Sequence, residues 1–178
     1  MEKAILKFKV LLLGAPAVGK TSLWHRFIHG SFEENYHLTI GVQVSTREIT
    51  FKNAIVKLTV WDIGGQARFK QLRKNFIPGT HGALLIFDIT RKPTFDELES
   101  WVAEVNEMVG EKIPMVLIGN KSDLISEKGR IINPREVDLF KKQHDCIYIE
   151  TSAKTGTKVK EYFRDLIIQV VKAHGHKV

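Results

Sequence analysis

The sequence contains a single cysteine, Cys146, in 178 residues. With no second thiol there is no internal disulfide, and the chain reads as a protein of a reducing, cytoplasmic compartment. Its neighbours Ile147, Tyr148 and Ile149 make Cys146 a buried structural thiol rather than a reactive one. No apolar run approaches the roughly 20 residues that a membrane span needs. Position 2 is Glu rather than the glycine of a myristoylation signal, and Met1-Glu2-Lys3-Ala4 does not resemble a signal peptide. There is no internal repeat, no low-complexity tract and no basic segment interleaved with aromatics, which argues against a nucleic-acid partner. The histidines at 25, 29 and 37 are scattered and argue against a metal site there, and His174 and His176 offer loose metal binding at most. Acid is in short supply: 20 Asp and Glu stand against 27 Lys and Arg, for a net charge of +7. That balance favours anionic partners, among them nucleotide phosphates, acidic proteins and anionic lipid, without choosing among them.

The length is that of one domain, and 43% hydrophobic residues suffice for a sizeable core. Residues Gly14-Ala15-Pro16-Ala17-Val18-Gly19-Lys20-Thr21 read G-x-x-x-x-G-K-[ST], a phosphate-binding loop. The apolar run Phe8 to Leu13 precedes it as a buried strand, and Ser22 to Ile28 follow with apolar residues at helical spacing. A strand that ends in this loop and opens a helix aims several backbone N–H groups at one point, and the helix N-terminus adds its positive dipole end. Lys20 supplies a full charge for the outer phosphates, and the Thr21 hydroxyl can ligate Mg²⁺.

Strand-like and helical runs alternate along the chain, which predicts an α/β fold: a three-layer P-loop domain with a mixed six-stranded sheet and five helices. Strands are expected near 5–13, 42–51, 54–62, 82–88, 114–120 and 146–150, with a tight hairpin at Lys52-Asn53. Helices are expected near 20–29, 68–77, 94–109, 134–144 and 157–173. Thr94-Phe95-Asp96-Glu97 reads as a capping box ahead of Leu98, and Asn133 as a cap before Pro134. The stripe Tyr162, Phe163, Leu166, Ile167, Val170 and Val171 is most simply core packing. The domain is expected to span 1–173, with 174–178 a frayed tail.

In such a sheet, ligands bind outside the carboxyl ends of the strands. The remaining motifs fall at those ends. Asp62, in Trp61-Asp62-Ile63-Gly64-Gly65-Gln66, can hold the Mg²⁺ shell. Gly65 allows close backbone approach to a phosphate, and Gln66 can orient a water for attack on the terminal phosphorus. Asp123, in Asn120-Lys121-Ser122-Asp123, can accept from guanine N1–H and the exocyclic amine, a pairing that adenine cannot make. In Thr151-Ser152-Ala153-Lys154, the Ala153 N–H can donate to guanine O6.

These residues, with Thr39-Ile40-Gly41-Val42, Arg68-Phe69 and His81-Gly82, carry a resemblance. The chain resembles a small GTPase of the Ras superfamily, most closely of the Rab branch, over almost its whole length. The resemblance implies a GTP/GDP switch that needs Mg²⁺ and hydrolyses GTP slowly, with Lys20 and Gln66 catalytic. It implies nucleotide contacts from residues 14–22, Ser22 included, and from Phe32, Tyr36, Thr39, Gly65, Asn120, Lys121, Asp123, Ser152, Ala153 and Lys154. Thr21, Thr39 and Asp62 would serve the metal. Phe32 would pack on guanine, Tyr36 would close over the phosphates, and residues 32–42 and 63–77 would be switches I and II. It further implies effectors, an exchange factor, an activating protein, a monomeric state and a role in vesicle trafficking or signalling.

Several positions depart from the pattern. Pro16 and Ala17 stand where some relatives have glycine, and Gly64 resembles the Arf branch. Ala67 replaces a glutamate that assists many exchange factors, and Val44 replaces one of three effector-facing aromatics, leaving Trp61 and Phe76. Trp61 reads equally well as sheet packing. The C-terminal cysteines that Rabs carry for prenylation are missing from this sequence; a truncated chain, a protein without a lipid anchor and a lineage without prenylation all stay open, and a basic face alone offers at most weak peripheral contact with anionic membrane. Arg68, Lys70, Arg73 and Lys74 crowd switch II, either as a solvated helix face or as a dock for an acidic partner. Three other readings stay open: a GTP-binding interaction module with negligible hydrolysis, a nucleotide kinase, and an adaptor with inert nucleotide.

Overall fold

The structure, a computed structural model, describes residues 3–34 and 38–177. Six strands form one sheet: β1 (Ala4–Leu13), β2 (Val42–Thr50), β3 (Ala54–Ile63), β4 (Gly82–Asp88), β5 (Met115–Asn120) and β6 (Ile147–Glu150). Their order is β2-β3-β1-β4-β5-β6, and only the β2–β3 pairing is antiparallel. The mixed six-stranded sheet of the sequence reading is therefore borne out. Its hairpin is too: the Phe51 N–H donates to the Ala54 carbonyl at 2.8 Å across Lys52-Asn53.

Every residue of β4 and of β5 is buried, as their continuous apolar sequences require of central strands covered on both faces. Edge strand β2 is mostly exposed and correspondingly polar. Two apolar layers sandwich the sheet. On one face, α1 (Lys20–His29) and α7 (Val159–Ala173) pack through Leu23, Trp24 and the stripe from Tyr162 to Val171. On the other, Trp101, Val102 and Val105, with Val137 and Phe140, cover Leu85, Phe87 and Leu117. Cys146 is 6% exposed, and burial pushes its thiol up to about 11, in keeping with a structural role. His174, the first residue beyond α7, packs its ring on Phe8 at 5.3 Å and on His81 at 4.9 Å.

The helices differ from expectation in number and at several boundaries. Seven α-helical segments are present among the described residues instead of five. The helix expected at 68–77 is a 3₁₀ turn, Ala67–Phe69, followed by the short α2, Lys70–Lys74. The helix expected at 94–109 is two pieces, α3 (Lys92–Asp96) and α4 (Leu98–Val109), joined through Glu97. A further short helix, α5 (Ile125–Lys128), follows a 3₁₀ turn at Ser122–Leu124.

The capping box at 94–97 is not formed. The Thr94 hydroxyl closes the turn after β4 instead, accepting from the Asp88 N–H at 3.0 Å and donating to the Arg91 carbonyl at 2.7 Å. The helix then starts at Lys92, two residues earlier than expected, with Pro93 in its first turn. A capping box does form at α6 (Pro134–His144): Asn133 accepts from the Arg135 N–H at 2.9 Å, and Glu136 accepts from the Asn133 N–H at 3.2 Å. Replacing Asn133 with Ala is expected to cost about 1 kcal/mol in urea unfolding, whereas Asn133→Ser should be nearly neutral.

Candidate functional site

The phosphate loop connects the carboxyl end of β1 to α1. Gly14 and Ala15 are buried, and their carbonyls accept from Lys20 Nζ, each at 2.9 Å. Lys20 is 5% exposed, and burial pushes its ammonium pKa down to about 8. Pro16 and Ala17 sit at the rim. Ala17 has φ 61°, a left-handed conformation that strains a residue with a Cβ. Val18 is buried, and its carbonyl accepts from Asn120 Nδ2 at 2.8 Å. Gly19 has φ 97°, and a Cβ there would lie 2.3 Å from the same Asn120 nitrogen. Only glycine lets the loop lie against that amide.

At the phosphate end, the Thr21 hydroxyl meets the Thr39 hydroxyl at 2.7 Å and donates to Asp62 Oδ2. Thr39 and Asp62 are both buried. Asp62 Oδ1 is buried with no hydrogen-bond partner, and burial pushes its carboxyl pKa up against the pull of Thr21, Lys20 and Thr39. An orphaned buried carboxylate oxygen beside two hydroxyls is the all-oxygen donor set that suits Mg²⁺. The residues present therefore fit that ion.

Gly64 and Gly65 run between the segment at 39–41 and the phosphate loop. The Gly64 N–H donates to the Gly41 carbonyl at 2.8 Å, and a Cβ at 64 would meet the Thr39 carbonyl at 2.8 Å. That contact accounts for glycine rather than alanine at this position. Gly65 packs on the backbone of Gly14 to Pro16. Gln66 follows in extended conformation, half-buried, and its carbonyl accepts from the Phe69 N–H at 3.0 Å.

At the other end lies a cavity of about 410 Å³, lined by Ala17, Gly19, Ser22, Phe32, Asn120, Lys121, Asp123, Ala153 and Lys154 among others. Asn120 is 1% exposed and ties three segments together. Its amide nitrogen donates to Val18, and its Oδ1 accepts from Thr151 Oγ1 at 3.1 Å and from the Ala153 N–H at 3.2 Å. Lys121 Nζ donates to the Ala17 carbonyl at 2.7 Å and pairs with buried Asp88 at 2.9 Å. Ser152 Oγ donates to Asp123 Oδ1 at 2.6 Å and holds that carboxylate at the cavity.

The sequence-predicted residues thus come together around one continuous site, except Tyr36, which lies outside the described residues. Arg26 was missed by sequence reasoning. It leaves α1 to donate to the Ala153 carbonyl at 2.8 Å and to the Lys154 carbonyl, so it shapes the last loop of the cavity. Asp88 was missed as well. Both belong to pairings between positions distant in the chain, which periodicity does not reveal. One expectation is corrected outright: Arg73 is 5% exposed, so it is neither a solvated charge nor a dock for a partner.

A mostly parallel α/β sheet with a phosphate loop after β1, a buried carboxylate at the end of β3 and a base-sized cavity beyond β5 and β6 defines a P-loop nucleotide-binding protein. The model of the Ras family matches residues 9–172, and the chain belongs to that family. It is accordingly a GTP-binding switch protein, of a family whose members are GTPases that bind guanine nucleotides with Mg²⁺ and work with effectors, exchange factors and activating proteins. No helix among the described residues is long and apolar enough to cross a membrane.

Proposed function

We propose that the protein is a GTP/GDP switch that binds its nucleotide between Lys20 and Asp123 and hydrolyses GTP slowly. The observation that carries this reading is the convergence on one site of residues 14–22, Thr39, Asp62 and the loops at 120–123 and 152–154. Lys20 and the loop N–H groups, at the N-terminus of α1, would hold the outer phosphates, drawing the ammonium away from Gly14 and Ala15. Thr21, Thr39 and Asp62 would hold Mg²⁺, which supplies charge neutralisation on the phosphate oxygens when bound.

Asp123 would accept from guanine N1–H and the amine, Phe32 would pack on the ring, and O6 would compete for the Ala153 N–H, whose present bond is long. Gln66 orients a water in line with the γ-phosphorus. As that water adds, the bond to the bridging oxygen breaks and yields GDP and inorganic phosphate, with Lys20 and the loop N–H groups stabilising the leaving oxygens. The orphaned Asp62 oxygen and the half-buried Gln66 beside the phosphate loop both support this assignment.

Similarity to the Rab branch supports vesicle trafficking or signalling as the setting. The Trp61 and Phe76 rings lie 5.4 Å apart beside exposed Val44, as a Rab-type effector face with one aromatic replaced would have. The test is to release and resolve the nucleotide that copurifies with the protein, then to follow a single turnover of loaded GTP with and without chelator. Guanine nucleotide, measurable turnover and faster GDP loss on chelating Mg²⁺ are expected. Adenine nucleotide would overturn the base assignment, and turnover indifferent to chelator would remove the metal from the reading.

A further inference from the structure

The middle of switch II, residues 67–74, is held by very little apolar surface. The 3₁₀ turn at 67–69 buries no residue, and of the five residues in α2 only Arg73 is buried. Arg73 points away from solvent into a slot on α4. Its Nη2 donates to Glu104 Oε1 at 3.1 Å and its Nε to Glu104 Oε2 at 3.3 Å, a forked pairing with a carboxylate that is itself 7% exposed. The guanidinium lies over the Trp101 ring at 4.1 Å from its centre. The remaining terminal nitrogen, Nη1, donates to the main-chain carbonyl of Gln66 at 3.3 Å.

A guanidinium used on both edges and one face has few other orientations available. Once desolvated, it cannot leave Glu104 without stranding a buried charge. Gln66 is therefore referenced to α4, a rigid helix of the core, through one arginine.

We propose that Arg73 is a positioning residue for Gln66, anchored by Glu104 and Trp101, and that this anchor sets the rate of GTP hydrolysis. The proposal rests on the assignment of Gln66 to water activation above. It goes beyond that assignment by giving the glutamine a support inside the protein, independent of any partner.

The ion pair could instead be only a staple, and the two roles separate in the double variant Arg73→Met with Glu104→Met. Two well-packed apolar side chains can replace a buried ion pair without loss of stability, but they remove the link from the Gln66 carbonyl to α4 and leave that carbonyl to the Phe69 N–H of its own turn. Thermal unfolding, GDP affinity and single-turnover hydrolysis of preloaded GTP are measured on the full chain. The expected result is an unfolding midpoint at or above that of the wild type, unchanged GDP affinity, and hydrolysis slower by roughly 10- to 100-fold, the scale of a misplaced catalytic group.

Hydrolysis within about threefold of wild type at preserved stability would overturn the proposal. Should the double variant fold poorly, Arg73→Lys decides. Lysine keeps the charge opposite Glu104 but cannot fork to Gln66, so slower hydrolysis at unchanged GDP affinity is expected and an unchanged rate overturns the proposal. A wild-type protein that binds GTP and never turns it over overturns the Gln66 assignment and the positioning role with it. That failure shows in the wild-type measurement alone.

Discussion

Asp123→Ala lowers affinity for GDP by about 2–5 kcal/mol, roughly 30- to 4,000-fold, and removes most of the preference for guanosine over inosine diphosphate. The side chain lines the cavity proposed for the base, and Ser152 Oγ fixes one of its oxygens at 2.6 Å. A carboxylate held in this way is acceptor-only, and guanine offers it two donors where inosine offers one. Wild-type protein should therefore separate the two nucleotides in competition binding, whereas the variant should bind them almost alike. A variant that keeps its full preference would show that another group reads the exocyclic amine. Ser152→Ala should have a smaller effect of the same sign, because it loosens the carboxylate without removing it.

The largest stability loss is expected from Asn120→Ala, about 3–5 kcal/mol in urea unfolding of the nucleotide-free protein. The estimate follows from the groups left behind. The substitution strands the Val18 carbonyl, the Thr151 hydroxyl and the Ala153 N–H in an interior where Asn120 is 1% exposed. Each unsatisfied buried group costs about 1–3 kcal/mol, partly recovered by local relaxation. Asn120→Asp is a useful companion. It keeps the acceptor for Thr151 and Ala153 but sets an oxygen against the Val18 carbonyl, so it should lose a comparable amount. A loss below about 1 kcal/mol in both variants would mean that the loop is held by other contacts.

Much of this was legible in the sequence. The central strands were readable because β4 and β5 are unbroken apolar runs, and the phosphate loop because its glycines and lysine stand at fixed offsets between a strand and a helix. Asn133-Pro134 declared its helix start because the cap and the proline act locally. Thr94 misled for an equally local reason. Its hydroxyl satisfies backbone groups of the preceding turn just as well as those of a following helix, and the turn won.

Other features depend on distance through space. Arg26 meets the loop at 153–154 across more than a hundred residues of sequence, and no spacing rule marks that pairing. Arg73 looked like one more cation on a basic segment. Its burial follows from a glutamate and a tryptophan on another helix, at 104 and 101, which no local pattern connects to it. The segments at 120–123 and 151–154 were recognisable by type, but the role of Asn120 as a tie within the protein was not. Its amide bonds are visible only when the loops are folded together.

That tie has a consequence for how a nucleotide leaves. The glycine at 19 lies against the same amide that fixes the last loop, so the two ends of the ligand grip are mechanically one piece. A protein that prises open either end strains the other through Asn120. For the proposed nucleotide, such a grip predicts concerted release rather than peeling from one end, and an exchange catalyst that needs a handle on one loop only.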